Sequence, residues 1–293
     1  MIVIDPDGHY LTSSEQHSLT IGACFWGLTA ASKERFSTSI GIAAGYSKAA
    51  REISVQAIYV DEVESDLAEK SAPGLSCSYL SATSHSYVSN ANRIMRKAFG
   101  SADVNLCLLL SPEVILHRKS IKAMLDKLEA NPNSIIGARH FPEELSIDVE
   151  IETGKASWVS SNCILIPRKV YEAVGGFDGN LPAILAGIDF CFRAQALGFG
   201  VFFAERAMFA TTFSDRHTAL QRATEIAASR ELFMTKWPER KLNWEKLDEF
   251  LQLEKNESGP AAALKDPNVF KFKTEHLLRL NLENLVSEAG PRW

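Results

Sequence analysis

Residues 158–178 read WVSSNCILIPRKVYEAVGGFD, and residues 187–193, shortly after them, read GIDFCFR. The apolar run CILI predicts a short buried strand, and the residues that follow it predict a basic turn and a helical turn. Gly175 and Gly176 then interrupt the apolar pattern and indicate a tight loop, in which Phe177 is buried and Asp178 bonds to the loop. The first stretch therefore predicts a strand, a helical turn and a loop that leads into the second.

Apolar runs of strand length also occur on both sides of this region. Strands are predicted over residues 19–25, 53–60, 105–110, 134–138 and 201–203, and helices over residues 32–52, 120–130 and 218–236. Residues 143–155 are polar and predict a surface hairpin or loop. Because strand, helix and strand follow one another near the start of the chain, the pattern predicts a parallel crossover and an α/β fold.

The bulk composition narrows the class of protein. The 293 residues carry a formal net charge of −5 and no basic run, so we expect no nucleic-acid partner. The N-terminus lacks a signal-peptide pattern, and no apolar run approaches the ~18–20 residues that cross a bilayer. We therefore expect a cytoplasmic protein without a transmembrane segment. The five cysteines form no C-x-x-C pair and predict reduced core thiols rather than disulfides or zinc ligands.

The chain is expected to hold one main domain with extensions at both ends. We predict an N-terminal extension over residues 1–17, an α/β domain over residues 18–240 and a C-terminal helical extension over residues 241–293. A helix is predicted over residues 243–255. Residues 256–269 are rich in Gly, Pro, Ala and Asn and predict a linker to a last amphipathic segment.

Residues 158–193 resemble the acceptor-side half of the family 2 glycosyltransferases, which have the GT-A fold. The family pattern runs W-x-x-G-A-x-L-x-x-R-R-x-x-F-x-x-V-G-G-F-D-E and then E-D-x-D-L-x-x-R, and it lies over residues 158–193 without a gap. The resemblance implies a GT-A-like α/β fold, with a central, mixed and mostly parallel sheet flanked by helices. It also implies transfer of a sugar from a nucleotide-activated donor to a polysaccharide or other glycan acceptor.

Asp61 and Asn92 are candidates for contact with the nucleotide-sugar. Asp61 ends a predicted strand, where open α/β sheets bind ligands, and VDEVESD over residues 60–66 resembles the family's V-D-x-x-S-x-D. The first acid of that pattern contacts the nucleotide base, since a carboxylate can accept a hydrogen bond from a base N–H. A solvated acidic turn is the alternative. Asn92 lies where the family has an Asn at the start of a helix, and an ordinary N-cap is its alternative.

Ser111 and Glu113 follow the predicted strand 105–110, where the resemblance implies an acidic triplet that holds Mn²⁺ or Mg²⁺ on the donor diphosphate. Both are candidate nucleotide-sugar contacts, and Glu113 is the expected metal ligand because hard cations prefer charged oxygen ligands. Thr211 stands where the family commonly has a metal-binding His. His217, six residues on, is a weaker candidate for contact with the diphosphate.

The acceptor side of the resemblance has one conspicuous departure. The family's general base belongs to an acidic pair that aligns with Ala186 and Gly187, neither of which can remove a proton. Asp189 and Asp178 are the remaining nearby acids and the candidate catalytic residues, although both also suit structural roles. The candidate acceptor-binding residues are Trp158, Ser161 and Asn162.

Two functions remain open at this point. One is a glycosyltransferase, of the kind that builds bacterial surface polysaccharides, with a glycan or lipid-linked acceptor and peripheral association with a membrane or partner protein. The other is a catalytically degenerate relative that keeps the fold as a binding or assembly partner of an active transferase. The altered residues Ser111, Ala186, Gly187 and Thr211 favour the second.

Overall fold

The structure of the protein is a computed structural model. It describes residues 3–4, 10–11, 17–25, 28–50, 53–62, 72, 74–82, 86–111, 114–140, 149–150, 152–211, 219–240, 242 and 244. The chain divides into two compact units, residues 1–213 and residues 214–293. The predicted domain boundaries at residues 18 and 240 stay predictions.

The first unit is built on an eight-stranded mixed sheet. Its strands are β3 (His17–Cys24), β4 (Ile53–Asp61), β5 (Ser76–Ser81), β6 (Leu106–Leu110), β7 (Val114–Leu116), β8 (Ile135–His140), β9 (Cys163–Pro167) and β10 (Val201–Thr211), and a separate antiparallel pair is formed by β1 (Val3–Ile4) and β2 (Tyr10–Leu11). The order across the sheet is β5-β4-β3-β6-β9-β8-β10-β7. Neighbours are parallel from β5 to β6 and between β8 and β10, and antiparallel elsewhere. The predicted α/β class is confirmed.

Helices cover both faces of this sheet. They are α1 (Ala30–Ala50), α2 (Tyr87–Phe99), α3 (Ser120–Ala130), α4 (Arg168–Val174) and α5 (Ala183–Ala196). Ile21 of β3 packs in one core cluster with Phe36 and Ile40 of α1. The next residue, Gly22, points to the opposite face because strand side chains alternate, and there it meets Ile94 of α2. A Cβ at Gly22 would overlap the Ile94 side chain, so this glycine lets α2 lie close to the sheet.

The chain reverses its direction across the sheet at β3. From β3 it proceeds outward through β4 to the edge strand β5, and then returns to place β6 on the other side of β3. In open α/β sheets such a reversal leaves a crevice outside the carboxyl ends of the strands, and ligands bind in it. Phe25, Asp61 and Ser111 lie at the carboxyl ends of β3, β4 and β6, so the sheet order brings residues far apart in sequence to this crevice.

Arg168 fixes the short helix α4 against the end of α2. Its guanidinium donates to the carbonyl oxygens of Phe99 and Val104, at 2.8 Å each, and to the carbonyl of Ser101. It also lies over the Phe99 ring at 5.3 Å from the centroid. Arg168, in the basic turn predicted after the strand, therefore satisfies carbonyl groups at and beyond the C-terminus of α2.

Some elements differ from the sequence prediction, and the short strands β1, β2 and β7 were not predicted. The late strand predicted over residues 201–203 extends to Thr211, and its pairing with β8 shifts register between Ala204 and Met208. β5 was not predicted, because its alternation of polar and half-buried residues (SCSYLS) lacks a continuous apolar run. Val149, in the segment predicted as a surface hairpin or loop (residues 143–155), pairs with Ala156 in an isolated antiparallel bridge.

The second unit is described over one helix and a few residues after it. This helix, α6 (Ala219–Lys236), confirms the prediction over residues 218–236, and its Phe233 meets the Trp244 ring edge-on. Apart from Trp244, the helix predicted over residues 243–255 lies outside the described residues, as do the predicted linker and the last amphipathic segment. Over the described part of the chain, no helix has the length and apolar character that a membrane span requires.

Candidate functional site

Asp61 ends β4 at the crevice and forms an ion pair with Lys33. The Lys33 ammonium donates to Asp61 Oδ2 at 2.5 Å, and the backbone N–H of Glu62 donates to Asp61 Oδ1 at 2.8 Å. The Asp61 side chain is only 1 % exposed, whereas the Lys33 side chain is 18 % exposed. The candidate base-binding carboxylate is therefore buried and compensated by a cation, so it is not the solvated acidic turn considered as the alternative.

The surroundings of Asp61 are rigid and aromatic. Phe25 directly follows β3 and stacks on Tyr59 of β4, with ring centroids 4.5 Å apart. The backbone N–H of Phe25 donates to the carbonyl of Val60 at 2.7 Å, and that of Ala82 donates to the carbonyl of Asp61 at 2.7 Å. Because these bonds extend the ladder to the last residues of the strands, Asp61 is held on rigid backbone.

Ser111 and Asn162 lie side by side where β6 ends and β9 begins. The backbone N–H of Ser111 donates to the carbonyl of Asn162 at 2.8 Å. Asp61 and Ser111 end strands on either side of β3, so their backbones are separated by two strand spacings, about 10 Å. The sheet thus places the candidate donor-side residue Ser111 beside the candidate acceptor-side residue Asn162.

Ser161 is a packing residue in contact with α5. Its hydroxyl donates to the carbonyl of Ala183 at 3.1 Å, and its carbonyl accepts from the Tyr87 hydroxyl at 2.7 Å. A Cβ built on Gly187 would lie 2.7 Å from Ser161 Cβ and 3.0 Å from its Oγ. In the glycosyltransferase pattern the glycine is at position 161 and the larger residue, an acid, is at position 187. The side chain of Ser161 therefore fills space that a side chain at Gly187 would need.

Asn92 holds the loop that follows α4 through its side-chain amide. Asn92 Nδ2 donates to the carbonyl of Phe177 at 2.9 Å, and the backbone N–H of Phe177 donates to Asn92 Oδ1 at 2.7 Å. The helix α2 starts earlier than the sequence suggested, and its N-cap is Ser86, whose hydroxyl accepts from the N–H of Ser89 at 3.3 Å. The alternative that Asn92 caps the helix is therefore wrong, because Asn92 lies in its second turn.

Asp189 and Arg193 of α5 secure the same loop. Arg193 Nε donates to Asp189 Oδ2 at 2.8 Å, while its two terminal nitrogens donate to the carbonyls of Val174 and Gly176 at 2.7 and 2.6 Å. Asp189 is fully buried. A buried carboxylate that orients an arginine has the structural role that the sequence left open for Asp189, and its catalytic role stays a prediction.

Asp178 and Trp158 complete the acceptor-side candidates. Asp178 Oδ1 accepts from the backbone N–H of Asn180 at 3.0 Å and from its side-chain amide at 3.1 Å, which closes a turn in the loop. Trp158 is buried, 7 % exposed. Both residues thus contribute to the shape of the region, and their roles in acceptor binding or catalysis stay predictions.

The structure shows little of three residues in the predicted metal region. Glu113 and His217 lie outside the described residues, and Thr211 ends β10 with its backbone paired to Val114. Among the residues that are described, no three His, Cys, Asp or Glu side chains come together as a metal-binding group. The described donors, a Ser111 hydroxyl and an Asp61 already paired with lysine, do not by themselves make a site for a hard cation. The role of Mn²⁺ or Mg²⁺ stays a prediction.

The described region also contains buried ionisable groups that hold their protons. Burial raises the pKa of the Cys107 and Cys163 thiols and of the Tyr87 hydroxyl well above their ordinary values. Burial raises the pKa of Cys191 to about 12. All five cysteines are unbridged and all but Cys77 are buried, and that they are reduced stays a prediction. The Cys107, Cys163 and Cys191 thiols are protonated packing groups and poor nucleophiles at neutral pH.

Lys33 is a residue of the crevice that the sequence analysis did not single out. It lies in the first turn of α1, directly after the β3 end, where ligands collect in parallel sheets. A lysine at that place was therefore a usable signal, but its pairing with Asp61 joins positions 28 residues apart and requires the sheet register.

No protein-family model matches the chain, and no curated protein matches it.

Proposed function

We propose that this chain binds a nucleotide-activated sugar in the crevice at the carboxyl ends of β3, β4 and β6 and acts as a glycosyltransferase on a glycan acceptor. The observation that carries the proposal is Asp61, a buried carboxylate on rigid backbone at the place where the strand order reverses. The resemblance of residues 158–193 to family 2 glycosyltransferases supplies the reaction class.

The arrangement suits a nucleotide for two physical reasons. Asp61 is an acceptor that can take a base N–H, and a charged acceptor makes a stronger hydrogen bond than a neutral one. Ser111 and Asn162 meet two strands away from Asp61, which leaves a length of crevice between base and acceptor side for the ribose and diphosphate. A donor bound along this line would have its sugar directed toward the acceptor-side residues.

A second function is favoured by the contact between Ser161 and Gly187. Ser161 occupies the space that an acid at position 187 would need, and neither Ala186 nor Gly187 can serve as the general base that the resemblance implies for this pair. A positioned base contributes about 10²–10⁴-fold to a rate. The second candidate is therefore a binding or assembly partner of an active transferase, which retains the nucleotide crevice and has lost the chemistry.

The first experiment asks whether the crevice binds nucleotides. The full chain is titrated calorimetrically with uridine, guanosine and adenosine diphosphates and their sugars, with and without Mn²⁺. Asp61→Asn should weaken binding by about 1–3 kcal/mol, since it removes a charged acceptor in a buried setting. Asp126→Asn is the matched control, because Asp126 also pairs with a lysine, Lys122, but on the exposed side of α3. No calorimetric response to any of these ligands at millimolar concentration would refute the proposal.

The second experiment separates transfer from binding alone. Release of free nucleoside diphosphate is measured with each donor that binds, in the presence and absence of glycan acceptors. Release that depends on an acceptor supports the glycosyltransferase. Tight binding of the donor without release, which persists across acceptors and with Mn²⁺, supports the binding partner. Glu113→Gln in the same assay tests the predicted metal ligand, because it should remove any enhancement of binding by Mn²⁺.

A further inference from the structure

The ion pair between Lys33 and Asp61 poses a problem for any ligand of Asp61. The carboxylate is 1 % exposed and both of its oxygens already accept a hydrogen bond, one of them from Lys33 at 2.5 Å. A buried carboxylate without a compensating partner is costly. Because the carboxylate has almost no free surface, we expect a ligand that reaches Asp61 to displace Lys33, and the displaced ammonium then needs a new partner of its own.

We propose that Lys33 is a two-position side chain that couples the phosphates of a nucleotide to the carboxylate that receives its base. This inference rests on the proposed nucleotide-binding function. Without ligand, Lys33 neutralises Asp61. When a nucleotide binds, its phosphates take the ammonium, and the base N–H replaces it as a donor to Asp61, so that the cation keeps an anionic partner and the carboxylate keeps its hydrogen bond.

The side chain and its location suit this exchange. Lysine presents a compact charge with three N–H donors on a flexible four-carbon stem, so it can leave one anion for another without a change in the backbone. Lys33 is the more exposed partner of the pair, at 18 %. It lies in the first turn of α1, whose N-terminal backbone N–H groups favour anions at the same edge of the sheet.

The exchange predicts a specific pattern of affinities. A nucleoside can offer an N–H to Asp61 but no anionic group to the displaced ammonium, so it should bind poorly. A nucleoside diphosphate supplies both partners. Removal of Lys33 should therefore weaken binding of the diphosphate but not of the nucleoside, whereas removal of a purely structural lysine would affect both affinities alike and leave their ratio unchanged.

The test compares uridine and guanosine diphosphates with uridine and guanosine by calorimetry on the full chain at two salt concentrations. Lys33→Gln should lower the ratio of diphosphate to nucleoside affinity by about tenfold or more, the scale of one charge-assisted contact, and should reduce its salt dependence. Lys122→Gln is the matched control, because Lys122 pairs with Asp126 at 2.8 Å on an exposed helix face. It should leave the ratio unchanged.

A second pair of variants guards against misfolding, since Lys33→Gln alone leaves Asp61 buried and uncompensated. Asp61→Asn and the double variant Asp61→Asn with Lys33→Gln differ only in the lysine and carry no buried unpaired carboxylate at this place. The affinity ratio should again fall by about tenfold between them. If the wild type binds no nucleotide, both the proposed function and this inference fail. If the nucleotide binds but neither Lys33 variant changes the ratio, this inference alone fails.

Discussion

Asn92 and Phe177 exchange two hydrogen bonds, one in each direction, although 85 residues separate them in the sequence. The carboxamide of Asn92 mimics a strand neighbour, because it offers a donor and an acceptor to one backbone residue. The bond pair ties α2, which packs on β3, to the loop between α4 and α5. The position of this loop therefore depends on how α2 packs against the sheet.

The Asn92 contact leads to a prediction for the glycines of that loop. A Cβ at Gly176 would lie 2.5 Å from Asn92 Oδ1, whereas a Cβ at Gly179 meets no heavy atom within 4 Å. Gly176→Ala should reduce the free energy of unfolding by about 1–3 kcal/mol, because it strains or breaks a buried hydrogen-bond pair. Gly179→Ala should change it by less than about 0.5 kcal/mol. Urea unfolding of both variants provides the comparison, and equal effects would contradict the prediction.

Ser161 and Gly187 should show strong energetic coupling. Gly187→Ala should destabilise the protein by about 1–3 kcal/mol through overpacking, and Ser161→Gly should recover much of that loss. A double-mutant cycle measured by urea unfolding gives the coupling energy. Additive effects of the two changes would show that the contact is not a steric one.

The same contact determines how activity could be restored. Ala186→Glu with Gly187→Asp introduces the acidic pair of the glycosyltransferase pattern, but the new Asp side chain collides with Ser161. The pair should therefore raise acceptor-dependent transfer only when Ser161→Gly accompanies it, with a gain of up to about 10²–10⁴-fold over a weak wild-type rate. Brisk transfer by the wild type that survives Asp189→Asn and Asp178→Asn would instead place the base elsewhere.

Two further glycines should respond to alanine in opposite directions. Gly22→Ala pushes a Cβ into Ile94 at the tight contact of β3 with α2, so it should cost about 1–3 kcal/mol. Gly45 lies within α1, and a Cβ there meets nothing within 4 Å. Gly45→Ala should therefore stabilise the protein by about 0.5–1 kcal/mol through helix propensity and a less flexible unfolded chain. Thermal or urea unfolding distinguishes the two signs.

Stability should fall at alkaline pH because of the buried thiols. Unfolded thiols ionise around 9.0, but burial keeps Cys107, Cys163 and Cys191 protonated to higher pH in the folded state. Between the unfolded and the folded pKa of a thiol, the unfolded chain binds fewer protons than the folded chain. The free energy of unfolding therefore decreases as pH rises, by about 1.4 kcal/mol per pH unit for each thiol. Cys163→Ala should make the slope shallower. A slope that is the same in this variant would exclude the thiol as its source.

More of the fold than of the candidate site could be predicted from the sequence. Continuous apolar runs such as residues 105–110 identified the buried strands, because burial on both faces leaves little choice of residue type. The edge strand β5 escaped prediction for the converse reason, since one face and one edge meet solvent. Continuous apolar runs therefore indicated which segments are buried on both faces of the sheet.

The site depended on pairings that no local pattern encodes. Asp61 was found because it ends a strand, yet its partner Lys33 becomes visible only through the register of β3 and β4. In the same way, the departure of Gly187 from the glycosyltransferase pattern was evident from the sequence, whereas its close contact with Ser161 was not. That contact becomes visible only when the two segments are packed together.

The contact between Ser161 and Gly187 also constrains the order in which mutations could accumulate. An acid introduced at Gly187 while Ser161 is present creates a steric clash, so that intermediate is unstable and poorly retained. Ser161→Gly introduced first removes only two heavy atoms, leaves a small void, and makes the second step accessible. A lineage that acquired an acid at this position would therefore have to shrink residue 161 before it enlarged residue 187.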